Sequence, residues 1–123
     1  MNIEDKLKEI KTEDFIWFIY IGIIILSYYA NSLEEKYYLN NDQKAKDNYR
    51  IIMIIIFSIL IVVYSYFLKS SYSDLKNINN MDEKKKLLFI SSFVASLLIF
   101  ISGIIFLIIA IYDKDIEVEL AFN

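Results

Sequence analysis

The sequence predicts an all-α integral membrane protein, a bundle of three transmembrane helices that extend past the bilayer and are joined by short turns. Three observations predict it. First, the 123 residues are 57% hydrophobic with a mean hydropathy of +0.42, yet 24% of them are charged. Second, the charges are segregated: residues 15–33, 51–68 and 87–112 contain no Asp, Glu, Lys or Arg. Third, as helices at roughly 1.5 Å per residue these blocks run about 28, 27 and 39 Å, against a hydrocarbon core of roughly 30 Å. Runs such as 21–26 and 51–56 are rich in Ile and favour strands locally. A lone strand in lipid leaves its backbone groups unpaired, and a barrel needs alternating strands, so helix is the reading.

The elements follow in order. Residues 1–14 form a charged leader in which Ile3, Leu7 and Ile10 recur at helical spacing, predicting an amphipathic helix lying on the membrane interface. Its five acidic residues are unlike the basic start of a cleavable signal, and bulky Tyr28 precedes Ala30 by two places. The first apolar block is therefore expected to remain as a helix. No lipidation motif is expected, because the chain has no Cys and Asn2 follows Met1. Helix 1 is expected over 15–39, with 15–33 transmembrane, ending at Asn40-Asn41. Helix 2 is expected over 42–78, with 51–68 transmembrane and Asn41 or Asp42 as its cap. Tyr72, Leu75 and Ile78 carry its apolar stripe past Lys69, and Asn79-Asn80 break it. Asn80 with Glu83 resembles a capping box opening helix 3 over 81–112, of which 87–112 is transmembrane. Residues 113–123 form an acidic tail. Ile116, Val118 and Leu120 would share one side of a strand able to extend a partner's sheet, although a frayed terminus is the preferred reading.

Counting Lys and Arg gives an orientation. The leader and second loop hold three and five, the first loop and tail four and one. Eight against five places the amino terminus in the cytoplasm and the carboxyl terminus outside. The wealth of Ile, Lys, Asn, Tyr and Phe fits an AT-rich coding sequence, hence a bacterial plasma membrane as the expected location.

Composition also excludes chemistry. The chain has no His and no Cys, which removes common zinc and haem ligation, Cys nucleophiles and Ser-His arrangements. The apolar blocks hold no acid or base, so proton relays, ion-coupled carriers and intramembrane aspartyl proteolysis lack their residues. Ser65 and Lys69, four apart, form one Ser-Lys pair on paper; a lysine snorkelling beside a packing serine explains it more simply. No enzyme activity is expected. Gly22 and Gly103 both lie within apolar blocks, so there is no Gly-rich phosphate loop and no cofactor is expected. The tail from Asp113 imitates a calcium loop, but its sixth position is Val118 rather than Gly, so no metal is expected. Interleaved bases and acids with a net charge of −3 argue against nucleic acid. No small-molecule ligand can be read from the pattern.

Ten Tyr, nine Phe and one Trp concentrate near block ends, among them Phe15, Trp17, Tyr28, Tyr64, Tyr66 and Tyr112. Interfacial belts account for most of them, and an aromatic ligand cage is the alternative. Helix 3 carries the most specific pattern. Ser92, Ser96, Gly103 and Ala110 share a face with Ile99 and Phe106, at spacings of 4, 3, 4, 3 and 4. Small residues at heptad spacing let a second helix approach closely, which drives packing where lipid removes the hydrophobic force. Ser58 and Ser65, seven apart, predict a matching face on helix 2. The stripe serves either packing within one subunit or contact with another copy or another membrane protein. The expected function is thus a non-enzymatic accessory or scaffolding subunit acting through helix–helix contacts in the lipid bilayer. The alternative is a homo-oligomeric, holin-like pore.

Overall fold

A computed structural model of the protein describes residues 2–120. Three helices run as α1 (Ile3–Asn40), α2 (Gln43–Asp74) and α3 (Glu83–Tyr112), with a 3-10 segment, Leu75–Asn80, between the last two. No strand occurs among the described residues. All three helices are long and apolar enough to cross a membrane, so the expected all-α bundle is the observed one. Helix α2 lies in the middle, with α1 along one side and α3 along the other. The outer helices pack on α2 and not on each other.

The termini of these helices have local causes. Asn2 opens α1 by accepting the Asp5 N–H at 2.7 Å. Of the two caps expected for helix 2, Asp42 takes the role. Asn41 closes α1 in the left-handed region at φ 52°, a conformation Asn tolerates, and Asp42 accepts the Ala45 N–H at 3.1 Å to open α2. The leader differs from expectation, because α1 runs unbroken from Ile3 and residues 3–14 continue into the first apolar block. No Gly or Pro interrupts that stretch, so nothing stops the helix. Residue 1 lies outside the described part.

Helix 2 was expected to reach residue 78, but it stops at Asp74 and tightens into the 3-10 segment, where Asn77 leaves helical geometry at φ −106°, ψ 19°. Three Asn residues within 77–80 favour turns over helix and explain the change. The expected Asn80–Glu83 capping box is corrected as well. Asn80 still belongs to the 3-10 segment, and Asp82 caps α3 by accepting the Lys85 N–H at 2.8 Å.

The core follows from the layering. Met53, Ile56, Phe57 and Leu60 are the largest fully buried side chains, and all four belong to α2. Ile23, Ala30 and Leu33 close over them from α1, while Gly103 and Ala110 do so from α3. Phe57 stacks on Phe106 with ring centroids 5.5 Å apart. No buried polar or charged residue occurs among those described. The outward sides of α1 and α3 stay apolar and open, with Phe18 and Ile25 on one helix and Leu98, Ile105 and Ile108 on the other.

The tail is neither frayed nor extended. After Tyr112 the chain turns back, and Ile116 and Leu120, 8% and 7% exposed, join the core cluster beside Tyr49, Met53 and Ala110. Polar contacts hold the reversal. The Arg50 Nη2 donates to the Ile111 carbonyl at 2.9 Å, Lys46 pairs with Asp115 at 3.1 Å, and the Val118 N–H donates to Asp113 Oδ2 at 2.7 Å. Val118 stays exposed, so the three apolar tail residues do not share a side. Residues 121–123 lie outside the described part.

Candidate functional site

The small-residue stripe of α3 turns toward α2. Gly103 is buried, and a Cβ placed there would meet Tyr64 Cδ2 at 3.1 Å and Ile61 Cγ1 at 3.5 Å. Glycine thus allows the closest α2–α3 approach. Ala110 is buried near the tail, and the Ser96 hydroxyl lies 2.9 Å from that of Ser71 on α2. Ser92 is exposed at the rim of a cavity described below.

Ser58 and Ser65 are not brought to this stripe. Both are exposed and return their hydroxyls to their own helix, to the Ile54 and Val62 carbonyls, each at 2.7 Å. The face of α2 that meets α3 is instead Phe57, Ile61, Tyr64 and Ser71, at spacings of 4, 3 and 7. Ser58 sits one residue from Phe57, about 100° around the helix. Ser65 lines a shallow groove with Lys69, Tyr72 and Phe93, but its hydroxyl is directed to Val62 rather than to the lysine.

The two ends of the bundle are built differently. Where α2 begins and α3 ends, a cleft floored by Tyr49, Met53, Ile109 and Ala110 is filled by Ile116 and Leu120. About 10 Å³ remains, no more than a single water needs.

At the opposite end a cavity of about 330 Å³ opens among the three helices. Glu9, Glu13 and Tyr20 line it from α1, Tyr64, Phe67 and Asp74 from α2, and Ile99 from α3. Four serines complete the wall: Ser70, Ser71, Ser92 and Ser96. Three of the lining residues are acids and none is a base. The Glu9 side chain is 19% exposed. One of its oxygens accepts from Ser70 Oγ at 3.4 Å. The other is shut off from solvent without a hydrogen-bond partner, with Lys6 Nζ at 3.9 Å.

A second hollow of about 250 Å³ adjoins this cavity through Glu13, Tyr20 and Phe67, and adds Ile16 and Trp17. Trp17 meets Tyr20 edge-on at 5.6 Å. Glu13 thus shares the lining of this hollow with three aromatic residues, Trp17, Tyr20 and Phe67. The acids do not converge on a point. Among the described residues no group of three His, Cys, Asp or Glu side chains is placed to hold a metal ion.

Sequence reasoning missed this cavity, because acids in a charged leader look like a solvated face. A signal was present in the register. Glu9, Glu13, Ile16, Tyr20, Ile23 and Ala30 fall on one heptad face, whose later members are buried against α2.

Compared with protein-family models, curated proteins and solved structures, the chain matches none.

Proposed function

We propose that this chain is a non-enzymatic, multi-pass membrane protein that serves as an accessory or scaffolding subunit through helix–helix contacts. The observation that carries the reading is the layering. Helix α2 is enclosed from both sides, and the two outer helices keep broad apolar faces that no part of the described chain covers. The apolar blocks supply no charge for transport and no acid or base for catalysis. The stripe of Ser96, Gly103 and Ala110 is engaged within the subunit, so contacts with another copy or another membrane protein fall to the outward sides of α3 and α1. On α1, Gly22 has open space around its Cα, which would let a second helix come close. The Lys and Arg count supports an amino terminus on the cytoplasmic side of a cell membrane.

The test is photocrosslinking in native membranes, with a crosslinking residue placed at Gly22, at Ile105 and, as a buried control, at Ile56. A second protein captured in stoichiometric amount at an outer position, and not at Ile56, is the expected result. A ladder of self-crosslinks accompanied by membrane conductance would replace this reading with the oligomeric pore. Silence at both outer faces would leave the scaffold without a surface.

A further inference from the structure

We propose that the acidic cavity at the amino-side end, with the hollow that adjoins it, binds a substituted ammonium group, with Glu13 and the rings of Tyr20, Phe67 and Trp17 as the recognition element. The proposal goes beyond the scaffold reading and does not depend on it.

The sign of the charge comes first. The lining supplies three carboxylates and no Lys or Arg, so the site opposes anions and attracts cations. The kind of cation comes next. A bare metal ion wants several oxygens converging at short range, and the described residues provide no such group. The cavity instead offers dispersed carboxylates, serine hydroxyls able to accept N–H bonds, and the rings of Tyr20, Tyr64 and Phe67, to which the adjoining hollow adds Trp17. Rings beside a carboxylate suit a cation that carries carbon, because the ring quadrupole attracts the charge while the ring surface packs the substituents. In the same wall one Glu9 oxygen makes no hydrogen bond and is held only by a long ion pair, 3.9 Å, to the largely exposed Lys6, which a closer N–H donor can replace.

Size and depth narrow the ligand further. At about 30 Å³ per water, a space of 330 Å³ takes roughly ten non-hydrogen atoms. Glu13 lies two residues before the charge-free block 15–33 begins, the depth of lipid headgroups. The ammonium group can therefore come from two sources, the headgroup of a choline or ethanolamine lipid or a soluble amine.

Trp17 is the single tryptophan of the chain and lines the hollow that adjoins the cavity, so its fluorescence reports a ligand that reaches there. The experiment titrates choline into the full-length protein in nanodiscs of phosphatidylglycerol, with sodium chloride at matched ionic strength as control. The expected result is a saturable fluorescence change with choline and none with sodium, the apparent affinity falling at least tenfold in Glu13→Gln. Asp74→Asn, far from Trp17 in sequence, should weaken binding more mildly, and calorimetry on the same samples gives a second readout. Repeating the titration in phosphatidylcholine nanodiscs separates the sources: competition by the bilayer identifies the headgroup, and an unchanged affinity identifies the soluble amine. An equal response to sodium, no saturable response, or an unaltered Glu13→Gln protein with native helicity would overturn the proposal.

Discussion

The two ends of this bundle use the same α2–α3 seam in opposite ways. At the tail end, small residues on α3 leave a cleft, and two apolar side chains from the chain's own tail close it to about 10 Å³. At the amino-side end the wall mixes four serines and three acids with Tyr20, Tyr64, Phe67 and Ile99, and about 330 Å³ stays open. Small residues decide where helices separate or approach, and the chemistry of what borders the gap decides whether it is sealed. Ile116 accepts a left-handed backbone at φ 50°, unusual for a β-branched residue, to reach its place. Its packing must outweigh that strain. Among the described residues no comparable plug fills the acidic end, where an apolar side chain would have to displace water from carboxylates.

The contrast can be broken most severely in the middle. Gly103→Leu drives a branched side chain toward the Tyr64 ring, already 3.1 Å from a built Cβ, and pushes α3 off α2. We expect a loss of about 3 kcal/mol by overpacking, read as a lower unfolding midpoint in mixed micelles. Gly103→Ala needs Tyr64 to give by only a few tenths of an ångström and should fall well short of that loss. Next in size is the tail. Ile116→Asp removes the apolar plug and should cost about 2 kcal/mol of docking. Limited proteolysis after Tyr112 should accelerate at least tenfold while the helices stay intact.

A smaller effect sharpens the open end. Asp82→Ala deprives the Lys85 N–H of its acceptor, and α3 should lose about 1 kcal/mol at its first turn. Hydrogen exchange should rise there and nowhere else. Smallest is the Lys46–Asp115 pair. Asp115 is 72% exposed, so Asp115→Asn should change stability by no more than about 0.5 kcal/mol, an effect that salt removes.

The fold was legible in the sequence because lipid imposes a coarse rule: charge-free blocks of spanning length must be helices. The turn at Asn41 and Asp42 was legible for a local reason, since both residues suit their backbone. Other features depended on contacts distant in sequence. The Asn80–Glu83 motif pointed to the wrong cap because the 3-10 segment absorbed Asn80 and left Asp82 in the extended geometry that a cap requires. The tail was missed because its docking rests on a reversal through left-handed Ile116, which no residue preference announces. Ser96, Gly103 and Ala110 lie on the side of α3 that meets α2, while the hydroxyls of Ser58 and Ser65 return to their own helix. The acidic cavity escaped because charge was weighed before register: Glu9 and Glu13 precede Ile16 and Ile23 on the face that packs against α2.

One measurement addresses the contrast directly. The chain has no cysteine, so each introduced thiol is the only one present. Ser92→Cys and Met53→Cys are compared in lipid nanodiscs, which expose both faces, using a charged maleimide. Met53 lies two residues inside its apolar block and Ser92 five, so depth alone would favour labelling of position 53. The account predicts the reverse. The thiol at 92 labels readily from the open cavity, the thiol at 53 labels at least tenfold more slowly, and Ile116→Asp releases it. Equal rates, or a thiol at 53 that labels freely beneath an intact tail, would contradict the sealed and open ends described above.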